Sequence, residues 1–401
     1  MRPSRVFALL AVLGTSTVFT ARGAHAQARD SVATVAVAPG VTWRTIIRPA
    51  GPLVIHVATI DLKHSDYELR HVRARDSLRG REKLSSMVAR APGGAAGVLV
   101  AINTDFFNLQ TGESENNQVI AGEWWKGVRA ADSNFDTFPN VRSQFAVGAN
   151  GRPLLDKFQF DGVALVRGGS IPILSLNSVS RTGPEASAFY TERVGVTPRD
   201  TVRKVVEAPL ALTGRRGDTL VLVRRGAIDS SGGHRVAAGT FVLAGYGARR
   251  TAVAALSEGD TVRVVLRART PTASYGSLSL LVGGWPRILR AGENIAGRSA
   301  SDEATLSGNA EVRHPRSAIG FSRDSSTLVM ASVDGRQAAS VGVTIVELAE
   351  LMKEFGAWDA LNFDGGGSTT MIVQGRIVNA PSDPLGEREI ASGLLLVRRT
   401  P

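Results

Sequence analysis

Turn-forming residues interrupt this chain so often that short strands are nearly all it can build. The apolar, β-branched runs between them are brief: 53–60, 98–102, 219–224, 240–243, 261–266, 318–321 and 328–333. Runs of this length, bounded by Gly, Asp and Asn, are strand signals. Residues 67–72 alternate as a half-buried strand does. A further strand is expected at 360–363, a hairpin over 370–378 turning near Gln374-Gly375, and a last strand at 390–397. Helical period is clear only over 344–355. Ile345, Leu348, Met352 and Phe355 share one face there, Thr344 and Glu347 form a capping box, and Gly356 is a stop. A shorter helix is expected over 83–90, ended by Pro92-Gly93-Gly94. The pattern predicts an α+β fold: a mixed β-sheet core with few helices and an inserted β-rich subdomain at 150–275, where no helix is expected. No repeat period is visible.

The N-terminus is set apart. Arg2 and Arg5 precede an apolar run over 6–19 and a small-x-small site at Ala24-His25-Ala26, the layout of a secretory signal peptide. The run is shorter than the ~20 residues of a spanning helix. Residues 1–26 are therefore expected to be removed, leaving 27–401 as an exported bacterial protein, periplasmic or extracellular, with no stable membrane insertion. The absence of cysteine excludes a disulfide framework and a thiolate metal site. Loss of Arg2, Arg5 and Arg22 with the leader lowers the formal charge from +11 to +8. The basic residues, 41 Arg and 6 Lys, are spread along the chain with no nucleic-acid motif. That argues against a nucleic-acid partner and leaves room for an anionic small or polymeric substrate. Nothing in the pattern speaks to oligomeric state.

Four clusters carry chemistry, each at or beside a strand end. Asp364-Gly365-Gly366-Gly367-Ser368-Thr369 follows the 360–363 run. Three glycines let a ligand approach the main chain, and their N–H groups can form an anion-binding nest beside the hydroxyls and the carboxylate. A plain turn between strands is the competing reading. The spacing is not that of a P-loop, and no Lys follows. Arg313-His314-Pro315-Arg316 leads into 318–321, and Arg316 can fork onto a phosphate. Val333-Asp334-Gly335-Arg336 ends an apolar run with an acid, a glycine and a guanidinium. Asn103-Thr104-Asp105-Phe106-Phe107 ends 98–102. Several strand ends can thus converge on one mouth.

Six segments, in order, carry a resemblance: Ala101-Ile-Asn-Thr-Asp-Phe-Phe107, Val282-Gly-Gly-Trp-Pro286, His314-Pro-Arg-Ser-Ala-Ile-Gly320, Ser332-Val-Asp-Gly-Arg336, Leu361-Asn-Phe-Asp-Gly-Gly-Gly-Ser-Thr-Thr-Met371 and Glu387-Arg-Glu389. Together they resemble the phosphodiester glycosidase family over about 40–400, most densely after 280. The cysteine-rich additions of its vertebrate member are absent here. The resemblance implies hydrolysis of the bond between sugar C1 and phosphate oxygen in a sugar-1-phosphate diester or phosphoglycan, with N-acetylglucosamine as the model sugar. A phosphate monoester is a good leaving group, because its second pKa is about 6, so donors that receive the departing charge matter most. Asn103, Arg316, Arg336, Arg388, Gly365, Gly366, Gly367, Ser368 and Thr369 are the candidates for that work. Asp364, Asp105, Asp334 and Glu389 are the candidate base or nucleophile, Asp364 foremost. Two other classes stay open. A non-catalytic glycan-binding protein would use Trp124, Trp125 or Trp285. A metal-dependent phosphodiesterase would need an oxygen-ligated Ca²⁺ or Mg²⁺, since six scattered His offer no zinc spacing. No cofactor is firmly implied.

Overall fold

The computed structural model describes residues 29–399 apart from 65, 130, 133–136, 139–141, 179–184 and 200–203. The expected signal peptide at 1–26 lies outside the described residues.

Two antiparallel sheets face one another. Eight strands form the first, in the order Ser31–Ala38, Val41–Arg48, Leu53–Asp61, Thr327–Val333, Arg316–Phe321, Asp359–Asn362, Arg287–Arg290, Glu293–Asn294. Five form the second: Arg376–Ile377, Met371–Val373, Val98–Asn103, Ser392–Arg398, Tyr67–Arg73. Side chains alternate across a strand, and here both faces are covered. Ala58, Ile60, Ile319, Met330 and Leu361 of the first sheet meet Leu99, Ile102, Met371, Leu394 and Leu396 of the second in one core. Their neighbours Val57, Ala318, Val329, Ala331 and Ala360 turn the other way, onto Ile345, Leu348 and Met352 of the helix Ile345–Glu354. On the far side of the second sheet, Ala101, Ile372 and Leu395 pack on Leu84, Met87 and Val88 of the helix Leu84–Arg90. The stack is helix, sheet, sheet, helix. Strands buried on both faces lose their polar alternation, so 98–102 reads as an unbroken apolar run and 328–333 as one broken only by Ser332.

Both local signals hold. Thr344 Oγ1 accepts from Glu347 N at 3.2 Å, while Glu347 Oε2 accepts from Thr344 N at 2.9 Å. Gly356 ends the segment at φ 92°. Thr344→Ala is therefore expected to lower the unfolding free energy by about 1 kcal/mol, read as a shift in urea midpoint. The 370–378 hairpin turns at Gln374 and Gly375, both left-handed at φ 48° and 74°. That is the backbone a two-residue type I′ loop requires.

A third, fourteen-stranded sheet takes most of the strands between Gln118–Ile120 and Leu278–Gly283. Phe160, Leu210, Leu222, Leu243 and Val264 fill one of its own cores. Its one parallel pair, Ser175–Leu176 against Ser187–Thr191, makes the pairing mixed here and not in the two central sheets. The expectation of no helix in 150–275 fails at Arg249–Ala254. Six residues with Val253 alone buried are too few to leave a readable period. The protein is strand-dominated, with several sheets and few helices.

Candidate active site

Antiparallel pairing brings separate strand ends together. Arg316 lies opposite Val333, and Ala318 opposite Asn362. Arg316, the turn at Asp334 to Arg336 and the 364–369 loop therefore leave the first sheet at one end. The second sheet is braced to them by Asn103. Its Nδ2 donates to Asp364 O at 2.6 Å, and its Oδ1 accepts from Ser317 Oγ at 2.6 Å and Thr370 N at 3.1 Å. Asp364 N–H donates in turn to Thr104 O at 2.8 Å.

A cavity of about 240 Å³ opens at this end. That is just below the roughly 300–1,000 Å³ of most ligand sites, so it suits one or two small rings. Arg316, Arg336, Arg388, Asp364 and the three glycines line part of it; Phe106, Trp285, Asn362 and Thr305 line more. Arg316 is anchored through Nε to Val343 O at 3.1 Å and through Nη2 to Asn309 O at 2.5 Å and Val312 O at 3.1 Å. Its Nη1 has no protein partner among the described residues. Burial pushes the Arg316 guanidinium down to about 10, with the charge of Arg336 adding and Asp364 opposing. Arg336 is a non-glycine residue at φ 61°, a conformation that costs roughly 1–3 kcal/mol and persists where packing enforces it. Its Nη2 meets His314 Nδ1 at 3.2 Å, and His314 Nε2 meets Gly308 O at 3.2 Å. These partners assign the proton to Nε2. Burial and the neighbouring Arg316 and Arg336 charges hold His314 below its ordinary range. Arg388 is steadied by Asp383, Nε to Oδ2 at 2.7 Å.

Two of the three glycine N–H groups expected to form an anion nest are directed at protein acceptors. Gly366 N–H donates to Pro315 O at 2.9 Å, and Gly365 N–H is directed at the Asp364 carboxylate. The glycines also make room for guanidiniums. A Cβ on Gly366 would lie 3.1 Å from Arg336 Nη2, and one on Gly367 only 2.3 Å from Arg388 Nη2. The obstacle at Gly367 is the end of a flexible side chain. Gly367→Ala is thus expected to keep stability within about 0.5 kcal/mol while displacing Arg388. The affinity of the cavity for inorganic phosphate should fall roughly tenfold, checked by titration calorimetry beside thermal melts.

The acids divide into two groups. Asp364 reaches the cavity yet is surrounded by protein. Burial pushes its carboxyl up to about 7, with Glu115 adding, and the Ser368 hydroxyl and Arg388 opposing. Asp105, 2% exposed, accepts from Asn116 Nδ2 at 2.7 Å and Asn116 N at 3.3 Å. Burial pushes it too up to about 7, partly relieved by Asn116 and again raised by Glu115. It lies outside the cavity lining, against Gly283, where a Cβ would meet its Oδ1 at 2.2 Å. Asp334 also lies outside that lining, and its carboxylate accepts Ala380 N–H at 3.0 and 3.2 Å. Glu389 is exposed on a two-residue strand paired with Glu82–Lys83. Ser368 and Thr369 are buried behind the loop.

One acid was not singled out by its motif. Glu115, paired with Arg142, stands between the two raised carboxyls electrostatically. Arg142 covers a face of Trp285 at 4.1 Å, and Phe106 meets that ring edge-on at 5.4 Å. Of the three tryptophans considered as platforms, Trp285 alone lines the cavity; Trp124 packs on Phe160 and Trp125 under Arg193. Among the described residues, no three His, Asp or Glu side chains group as a metal-ligand set.

The two raised carboxyls carry a stability consequence. Both have a folded-state pKa above the unfolded value of about 4. Their stabilising contribution is full below pH 4 and is lost as pH rises through 7. Unfolding at pH 5 and pH 8 should differ by a few kcal/mol from this source, and Asp105→Asn should shrink that difference.

Comparison with known proteins gives this constellation a class. A family model described as phosphodiester glycosidase matches residues 213–397. The matched region contains Arg316, Arg336, Asp364 and Arg388. Among individual relatives, bovine (Bos taurus) N-acetylglucosamine-1-phosphodiester alpha-N-acetylglucosaminidase is 31% identical over 161 residues, covering 38% of this chain and 29% of that protein. The chain spans less than a third of the length of the curated relatives it matches. Two solved structures share the fold. A hypothetical protein from Synechocystis aligns at TM-score 0.71 and 20% identity over 92% of this chain and 64% of that one. A protein of Burkholderia pseudomallei K96243, described as exported, aligns at 0.67 and 22% over 87% and 75%.

Proposed function

We propose that this protein is an exported glycosidase that hydrolyses the C1–O bond of a sugar-1-phosphate diester, of the N-acetylglucosamine-1-phosphodiester kind, on an envelope or extracellular glycan. The observation that carries the reading is the meeting of Arg316, Arg336 and Arg388 with Asp364 in one small cavity. Three guanidiniums drawn together repel one another, and a phosphate relieves that repulsion while matching their donors. The signal-like residues 1–26 and the likeness in fold to a Burkholderia protein described as exported support export. Residues 27–401 are read as the working unit, with 150–275 its β-rich subdomain.

The carboxylate of Asp364 acts as base or nucleophile. As base, it takes a proton from water while the water oxygen bonds to C1. As nucleophile, its own oxygen bonds to C1, and water afterwards bonds to C1, loses a proton and breaks the C1–Asp364 ester to release the sugar. In either case the C1–O bond breaks, and its electron pair leaves with the phosphate monoester, which the arginines receive. Arg316 Nη1 is the donor left for that oxygen. A carboxyl poised near 7 serves proton transfer at neutral pH. Because the working form is ionised, kcat/KM should rise with pH through about 7.

Product analysis is the first test of this reading. A diester of N-acetylglucosamine 1-phosphate should yield free N-acetylglucosamine and a phosphate monoester. Release of sugar 1-phosphate would assign a phosphodiesterase instead, and binding without turnover a glycan-binding protein.

A further inference from the structure

Two polar atoms in the cavity wall have no protein partner. Asn362 is 1% exposed and Thr305 5% exposed, and both line the cavity. Asn362 Oδ1 and Thr305 Oγ1 are buried and make no hydrogen bond to any described group. Leaving a buried acceptor unmade is unfavourable, and native proteins rarely tolerate it without a reason. The orientation of the Asn362 amide is fixed. Its Nδ2 donates to Trp285 O at 2.5 Å, while Trp285 N donates to Asn362 O at 2.7 Å and Asn362 N to Pro286 O at 3.0 Å. The amide is therefore locked with its acceptor end free. Thr305 is held by its backbone, N to Ser299 O at 3.1 Å, so its hydroxyl is equally uncommitted. Phe106 and Trp285 supply apolar surface beside both.

We infer that Asn362 and Thr305 form a sugar-recognition subsite, in which Asn362 Oδ1 accepts a hydrogen bond from a ring hydroxyl or amide N–H and Thr305 Oγ1 bonds a second polar group of the same sugar. The inference deepens the proposed function by naming what selects the sugar, separately from what receives the phosphate. Asn362 lies two residues before Asp364 on one chain. A sugar seated on Asn362 thus holds its phosphate end toward the Asp364 carboxylate and the arginines. A site built around a free acceptor discriminates strongly, because a sugar lacking the donor leaves that acceptor buried and unmatched.

The test is binding, so that it does not depend on turnover. Titration calorimetry of the full chain would compare N-acetylglucosamine 1-phosphate, its single-position deoxy analogues and inorganic phosphate, in the wild type, Thr305→Val and Asn362→Ala. Thr305→Val keeps shape and breaks no bond made in the free protein, so its melting temperature should hold or rise. The sugar phosphate is expected to bind at least tenfold tighter than inorganic phosphate to the wild type. Each variant should erase most of that preference while leaving the affinity for inorganic phosphate within about twofold. In Asn362→Ala, one deoxy analogue should bind as well as its parent. Equal binding of sugar phosphate and phosphate to the wild type, or a sugar preference untouched in Thr305→Val and Asn362→Ala, would overturn the subsite. Retention of the whole binding pattern with no diester hydrolysed would uphold it and overturn the hydrolytic reading alone.

Discussion

Asp364→Asn is expected to abolish hydrolysis of a sugar-1-phosphate diester while the fold stays intact. The backbone at 364 is pinned at both ends of the peptide, N–H to Thr104 O and C=O to Asn103 Nδ2. An amide of nearly the same size therefore occupies the same place. It keeps an oxygen that can accept from Gly365 N–H and Ser368, and it loses the charge and the basicity. A base at this position accounts for roughly 10²–10⁴-fold in rate, and a nucleophile for more. Stability should move the other way. At pH 8 the wild type holds an ionised carboxylate in a site that disfavours charge, as its elevation to about 7 records. Asn removes that burden, so the variant should melt higher than wild type at pH 8 and no higher at pH 5. A side chain that merely caps the glycine turn would give near-wild-type turnover in Asp364→Asn, and the catalytic role would then pass to Asp105, Asp334 or Glu389.

Arg316→Ala should produce the second-largest loss, and a selective one. Arg316 is 4% exposed and spends Nε and Nη2 on three carbonyls, which leaves Nη1 aimed by a rigid frame. Removing a preorganised donor to a developing anion costs roughly 10²–10³-fold in kcat. The loss should appear on phosphodiester substrates and shrink to under about tenfold on a p-nitrophenyl N-acetylglucosaminide, whose leaving group carries no phosphate. Equal losses on both substrates would mean that Arg316 holds the loop through the Val343, Asn309 and Val312 carbonyls and does not meet the leaving group. Circular dichroism and melting of the variant keep the two explanations apart.

The strands and the long helix were legible because their signals are local. The 219–224 run coincides with its strand, and the Thr344/Glu347 box caps its helix as its spacing requires. The layering was not legible. Strands buried on both sides, such as Val98–Asn103, show no alternation to say which residues face which partner. The convergence of Arg316, Arg336 and Asp364 followed from clusters at strand ends. The division of labour within it did not. Gly365, Gly366 and Gly367 read as an anion nest, because three glycines in sequence do not reveal that Arg336 and Arg388 will lie over two of them. Asp334 reads like Asp364, an acid after an apolar strand, yet its carboxylate is taken up by Ala380 N–H, 46 residues away. Glu115 sits in Glu113-Ser-Glu-Asn-Asn117, a run that looks like a solvated loop. Only tertiary folding brings Arg142 and the two raised aspartates to it.

The central claim is that the bond broken lies between the sugar carbon and oxygen. Hydrolysis of an N-acetylglucosamine-1-phosphate diester in ¹⁸O-enriched water tests it directly, since free sugar alone could also arise from attack at phosphorus. Mass spectrometry should place ¹⁸O at C1 of the released N-acetylglucosamine and leave the phosphate monoester unlabelled. Label in the phosphate, with unlabelled sugar, would contradict the account.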